Sequence, residues 1–145
     1  MFDLKGKTAL ITGSGQGIGK STALLLAKQG AKVIINWRSN DEVAAKTIEE
    51  LKAQGADFLT WKYDLSKPTV KADFEAFMKE NDITVDILVL NASVQIRNAW
   101  ENIPVGYIGQ PDEIAATILL LCSKEGGYIT GTDIPVDGGM SIPFT

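Results

Sequence analysis

The sequence predicts an α/β fold: a shortened, doubly wound parallel sheet forming a single domain. Three observations carry that expectation. Short apolar runs alternate with helical patterns from the start of the chain. A glycine-rich turn joins the first run to the first helix. A later run, Val85-Asp86-Ile87-Leu88-Val89-Leu90, is almost wholly apolar, as a strand covered on both faces is. Strands that alternate with helices imply right-handed crossovers, and therefore parallel pairing.

The elements follow in order. Thr8 to Thr12 is the first strand. Ile18, Thr22, Leu25 and Leu26 share one helical face, which predicts a helix from Ile18 to Gln29 stopped by Gly30. Ala31 to Asn36 is the second strand. Asn40 can cap the next helix, whose inner face is Ala44, Ile48 and Leu51, and Gly55 ends it. Asp57 to Tyr63 is the third strand. Ser66 as N-cap and Pro68 in the first turn predict a third helix faced by Val70, Phe74, Phe77 and Met78. Val85 to Leu90 is the fourth strand. The stretch from Asn91 to Gln110 shows no periodicity and is long for a loop in a compact domain. Ile114, Ile118, Leu121 and Cys122 then predict a helix from Pro111 to Ser123. It would cross over to a last short strand near Thr132 to Val136.

Composition narrows the function. The 145 residues are 45% apolar and 22% charged, enough for one real core. A net charge of −4 without a basic stripe argues against a nucleic-acid partner. There is no histidine, so the commonest general base and metal ligand is missing, and no metal site is expected. The single cysteine, Cys122, cannot form an internal disulfide and reads as a buried thiol. Residues 1–7 lack the apolar core of a signal peptide, and no apolar run reaches about 18 residues. A cytoplasmic protein with no membrane partner is expected.

The chain is organised around Thr12-Gly13-Ser14-Gly15-Gln16-Gly17-Ile18-Gly19. Strand, glycine-rich turn and helix together place backbone N–H groups and a helix N-terminus where a phosphate can sit. Two nucleotide motifs nearly fit. A Gly-x-Gly-x-x-Gly pattern starting at Gly13 would need glycine at Ile18. A P-loop would end on Gly19-Lys20-Ser21, but its first glycine falls on Ser14. The spacing that fits is Thr-Gly-x-x-x-Gly-x-Gly, at Thr12, Gly13, Gly17 and Gly19.

That spacing resembles the short-chain dehydrogenase/reductase family. Three further stretches match in order: Asp64 after strand three, Leu90-Asn91-Ala92-Ser93 after strand four, and the tail from Ile129-Thr130-Gly131 to Val136-Asp137-Gly138-Gly139. The Asn91 stretch departs from the family's Asn-Asn-Ala-Gly at Leu90 and Ser93. The resemblance implies a Rossmann fold with a shortened sheet of order 3-2-1-4, the last strand lying beside strand four if the chain is complete, a nicotinamide dinucleotide cofactor and hydride transfer to or from a small carbonyl or alcohol substrate. It implies cofactor contacts from Gly13, Ser14, Gly15, Gln16, Gly17, Ile18 and Gly19. Trp37 and Arg38 after strand two, Asp64 and Leu65 after strand three, and Asn91 and Ala92 after strand four complete the set. Strand two ends Asn36-Trp37-Arg38-Ser39 with no carboxylate, and Arg38 can bind a 2′-phosphate. NADP is therefore expected as cofactor, with NAD possible.

The family's catalytic serine and Tyr-x-x-x-Lys helix would lie in a central segment with no counterpart here, the junction falling near Ile103-Pro104. Tyr63 and Lys67 form such a string, but Tyr63 ends a strand and Pro68 follows, so no catalytic residue is assigned. The chain as written is expected to bind cofactor without turnover. The family's homo-oligomer is expected only with the central segment present. The alternatives are a P-loop phosphohydrolase built on Lys20, and a binding or structural domain that kept the fold without the ligand.

Overall fold

A computed structural model describes residues 2–92 and 103–141. The chain runs β1 (Thr8–Ile11), α1 (Gly17–Lys28), β2 (Lys32–Trp37), α2 (Asp41–Ala53), β3 (Phe58–Lys62), α3 (Val70–Glu80), β4 (Ile87–Val89) and α4 (Pro111–Cys122). The strands form one parallel sheet, as the alternation predicts, of order β3-β2-β1-β4, the order the family resemblance implies. Helix α1 ends where Gly30 adopts φ +93°, and α2 ends where Gly55 adopts φ +66°. Asn40 caps α2 by accepting the Val43 N–H at 3.1 Å.

Two apolar layers sandwich the inner strands. Ala9, Ile11, Val33 and Ile35 are fully buried beneath Ala23 and Leu26 of α1, Leu51 of α2 and Leu119 of α4. Leu10, Ile34 and Trp61 face the other way, against Val70, Phe74 and Phe77 of α3. Trp61 stacks on Tyr63 at 4.7 Å and packs against Phe74 at 4.8 Å. Burial on both faces explains why β1 and β2 are apolar without alternation.

The second layer is incomplete. One register row crosses the sheet through Leu59, Ile34, Leu10 and Leu88. Ile34 is 0% exposed and Leu10 4%, but Leu88 is 58% exposed. Leu90 reaches 79%. The expectation of a fourth strand covered on both faces is therefore corrected: β4 is only three residues long, and no described residue buries Leu88 or Leu90.

Two further expectations are revised. Helix α3 starts at Val70 behind Thr69, because Ser66 turns back and gives both its N–H and its hydroxyl to Asp64. No last strand forms over residues 132–136. The tail finds other partners: the Val105 N–H donates to the Gly138 carbonyl at 3.1 Å, docking the Asp137-Gly138-Gly139 turn on Ile103–Gly106. A three-residue β4 offers a short strand too little ladder to repay its ordering entropy. Helix α4 is consequently not a crossover into the sheet. It lies on α1 with Ala115 and Leu119 buried. Cys122 is half-buried against the same core, and that burial raises its thiol pKa.

Asp86 fastens β4 to β1. Its carboxylate accepts the Thr8 N–H at 2.9 Å and the Lys7 ammonium at 3.3 Å. The Thr8 N–H foremost, then Lys7, holds the carboxyl below its usual pKa. A carboxyl depressed in the folded state contributes stability above its unfolded pKa of about 3.9, and loses it as pH falls through the folded value. Asp86→Asn is expected to lower the thermal midpoint near neutral pH, with the gap to the parent closing below about pH 4. A gap that stays constant across that range in thermal melts would refute this role.

Candidate functional site

Parallel pairing sets the C-terminal ends of β1 to β4 along one edge of the sheet. From β1 the chain builds outwards through β2 to β3, then returns to place β4 on the other side of β1. That reversal opens a crevice between the ends of β1 and β4, where open α/β sheets take their ligands. The glycine loop after β1 lines one wall. Asn91 and Ala92 line the other.

Hydrogen bonds set the walls. The Thr12 hydroxyl donates to the Val89 carbonyl at 3.3 Å and accepts the N–H groups of Asn91 and Ala92 at 2.9 and 3.0 Å. The Asn91 amide donates to the carbonyls of Thr12 and Gly13 at 3.0 and 3.2 Å. Ser14 points inward: its hydroxyl donates to the Ile11 carbonyl at 2.7 Å and accepts the Asn36 N–H at 2.9 Å. The Thr47 hydroxyl of α2 donates to the Gly15 carbonyl at 2.9 Å.

The glycines divide into two kinds. A Cβ on Gly19 would stand 2.5 Å from the Gly13 carbonyl oxygen and 2.6 Å from the Asn91 amide nitrogen. A Cβ on Gly13, whose φ is +63°, would stand 2.9 Å from the Ala92 Cα. These two are glycine because protein packs against them. Gly17 has φ +57°, yet a Cβ there would meet nothing within 4 Å. The space beside it is open to a ligand. Gln16, at the N-cap of α1, makes no side-chain cap, and the first turn holds no acid. The first helical hydrogen bond joins the Lys20 N–H to the Gln16 carbonyl at 3.2 Å, so the N–H groups of Gly17, Ile18 and Gly19 lie ahead of the ladder. An uncapped, acid-free helix end beside open space suits a phosphate.

The ends of β2 and β3 sit beyond the loop. The Trp37 indole N–H donates to Asp41 at 2.8 Å, and the Lys62 ammonium holds the other oxygen of Asp41 at 2.7 Å. Lys62 first, then Trp37, depresses the Asp41 carboxyl. Arg38 is exposed and makes no hydrogen bond or ion pair among the described residues. One oxygen of Asp64 accepts the Ser66 hydroxyl at 2.7 Å and its N–H at 3.0 Å. Those bonds, with the charges of Arg38 and Lys67 behind them, hold the Asp64 carboxyl below its usual pKa. Its second oxygen has no partner among the described residues. Leu65 is half-buried in the α3 layer. The structure thus brings the candidate cofactor residues to one edge of the sheet, while Ser93 lies outside the described residues.

Sequence reasoning gave no role to two buried polar residues behind that edge, Asn36 and Thr47, each no more than 2% exposed, and took Thr12 as a motif residue without its bonds to Asn91 and Ala92. A signal existed for Asn36, which ends the apolar run Val33-Ile34-Ile35. The P-loop alternative fails on geometry, because the Lys20 ammonium is held at 2.6 Å by Glu50 of α2. Tyr63 and Lys67 share no helix. The Tyr63 hydroxyl donates to Asp73 and bonds Thr69, while the Lys67 ammonium lies 5.1 Å from the centre of the Tyr63 ring. The Asp73 carboxylate raises the Tyr63 pKa, the opposite of what a catalytic tyrosine needs. Among the described residues no side-chain group could hold a metal ion, and no helix is long and apolar enough to cross a membrane.

A family profile described as short chain dehydrogenase matches residues 7–117, from just before β1 into α4. The chain belongs to the short-chain dehydrogenase family. A second profile, described as enoyl-(acyl carrier protein) reductase, matches residues 95–141. Versicolorin reductase 1 of Aspergillus parasiticus is 37% identical over 91 residues, which are 63% of this chain and 35% of that protein. L-rhamnose 1-dehydrogenase (NAD(P)(+)) of a Sphingomonas species is 35% identical over 105 residues, covering 72% of this chain and 41% of that protein. These short-chain dehydrogenases are therefore matched over well under half of their length. A short-chain type dehydrogenase/reductase from Mycobacterium marinum superposes with a TM-score of 0.85 over 98% of each chain, at 21% identity, and shows the shared fold.

The two kinds of glycine separate by mutation. Gly19→Ala forces the Gly13 backbone or the Asn91 amide to move and is expected to cost about 1–3 kcal/mol. Gly17→Ala meets no protein atom and is expected to cost about 1 kcal/mol, for its positive φ alone. Urea unfolding of both variants gives the order, and a reversed order would contradict the assignment of Gly19 to packing and Gly17 to open space.

Proposed function

We propose that this short-chain dehydrogenase binds a nicotinamide dinucleotide in the crevice between β1 and β4, with NADP(H) preferred over NAD(H). One observation carries the reading: the family's glycine loop ends in an uncapped α1 N-terminus beside the open space at Gly17. The loop from Gly13 to Gly19 would hold the pyrophosphate. Asn91 and Ala92 would close the β4 side. Trp37, Arg38, Asp64 and Leu65 would receive the adenosine, Asp64 through its free oxygen. Bound there, the dinucleotide would supply or accept hydride.

The preference for NADP(H) rests on charge. The end of β2 carries no carboxylate. Asp41 in the first turn of α2 is engaged by Trp37 and Lys62. Among the described residues Arg38 has no partner, and its guanidinium fork suits a phosphate better than a hydroxyl. Arg38→Ala is expected to weaken NADPH binding about tenfold or more, with NADH changed less than about twofold. Equal losses in a calorimetric titration of the two cofactors would refute the preference.

The family reaction, hydride transfer with a small carbonyl or alcohol, is proposed for the protein completed by a central segment joined near Ile103-Pro104. Leu88 and Leu90 show where the sheet lacks cover. The family's homo-oligomer is tied to the same segment. A cytoplasmic location fits a chain whose only cysteine is a half-buried thiol.

As written, the chain is expected to bind without turnover. Tyr63 and Tyr107 give their hydroxyls to Asp73 and Glu113, and both phenols are raised in pKa by those carboxylates. Tyr128 is fully exposed, with Thr132 rather than lysine four residues on. General acid–base help is worth about a hundred- to ten-thousand-fold. NADPH oxidation with a panel of carbonyl compounds should therefore stay at background. Turnover that survives Tyr63→Phe, Tyr107→Phe and Tyr128→Phe together would overturn this reading.

A further inference from the structure

Asn36 lies in β2, just beyond the last β1–β2 ladder pair, Ile11 with Ile35. It is 2% exposed, at the end of an apolar run. A buried amide is costly unless its donors and acceptor are paired, and here they are. The side-chain oxygen accepts the Gly13 N–H at 3.2 Å. The side-chain nitrogen donates to the carbonyls of Trp61 and Tyr63 at 3.0 and 3.2 Å. Its main-chain carbonyl accepts the Ser14 N–H at 2.8 Å, and its N–H donates to the Ser14 hydroxyl.

One side chain therefore bridges the glycine loop and the end of β3, which leads directly into Asp64 and Leu65. The backbone ladders cannot make that link, because β1 and β3 are never neighbours in the sheet. We propose that Asn36 is a positioning residue for the dinucleotide, holding the pyrophosphate loop and the adenine end at a fixed separation without touching the ligand. This rests on the dinucleotide reading above. A ligand that spans two subsites gains affinity from their being held in register, while a fragment occupying one subsite does not.

The prediction separates two effects. Asn36→Leu keeps the volume and removes every side-chain hydrogen bond. Asn36→Asp keeps an acceptor for the Gly13 N–H and removes the donors to Trp61 and Tyr63. In Asn36→Leu the Gly13 amide is expected to exchange with solvent about tenfold faster or more, while Leu10 and Ile34 stay slow because their ladder is intact. In Asn36→Asp the Gly13 amide is expected to stay protected. Both variants are expected to weaken NADPH about tenfold or more and adenosine 2′-phosphate, which reaches the adenine end alone, less than about threefold.

Amide exchange by NMR and titration with both ligands read this out. In Asn36→Asp the new carboxylate also repels the pyrophosphate beside Gly13, so the neutral Asn36→Leu carries the comparison of the two ligands. Unchanged Gly13 exchange in folded Asn36→Leu, or equal losses for the two ligands, would overturn the proposal. If Asn36→Leu does not fold, the neutral Asn36→Ser, which also removes the donors to Trp61 and Tyr63, takes its place in the comparison of the two affinities. A parent chain that binds neither NADPH nor NADH would sink the dinucleotide reading and this role with it. A parent that binds while both variants match it would sink only the role of Asn36.

Discussion

Parallel pairing of β1 with β2 on one side and β4 on the other is the constraint on which the molecule depends. Each parallel connection needs a crossover, and each crossover returns the chain to the same edge of the sheet. Loops that are distant in sequence are therefore stacked at one edge. Because the chain reverses its direction of growth at β1, the loops after β1 and β4 leave the sheet on either side of a gap. The glycine loop and Asn91 meet there although more than seventy residues separate them.

A belt of buried polar side chains then takes over where the strands end. Backbone ladders stop at Ile11 and Val89, yet the N–H and C=O groups just beyond them still need partners away from water. Thr12, Ser14, Asn36 and Asn91 supply those partners. The belt leaves the α1 N-terminus unused and the backbone at Gly17 bare. Rigid walls and unsatisfied donors in one place are what a phosphate site requires.

The other side of the molecule is less complete. Leu88 and Leu90 continue an apolar surface that α3 covers only as far as β1. The tail carries Ile134 and Val136 in the alternating pattern of a strand, but it stays outside the sheet, and both side chains are about two fifths exposed. A three-residue β4 with an open edge offers little ladder to gain from. Helix α4 is held independently, by the apolar face it shares with α1, and so it forms without a strand to follow it.

The sequence by itself determined the strands, the helices and the loop that marks the site, because period, glycine spacing and strand-end residues are local signals, while the order of the sheet followed from the family those residues resemble. Val33-Ile34-Ile35 and the Ile18-to-Leu26 stripe could hardly be read otherwise. It also placed Gly17, Arg38, Asp64 and Asn91 at one edge, since parallel topology leaves no other place for them. Tertiary structure alone decided what each of them does. Gly19 and Gly17 look alike in the sequence, but one is pressed against Gly13 and Asn91 and the other faces open space. Ser66 reads as a helix cap and instead closes the turn at Asp64. Thr132 to Val136 reads as a strand and stays outside the sheet. In each case the outcome depends on which distant group stands beside the residue, and local pattern carries no record of that.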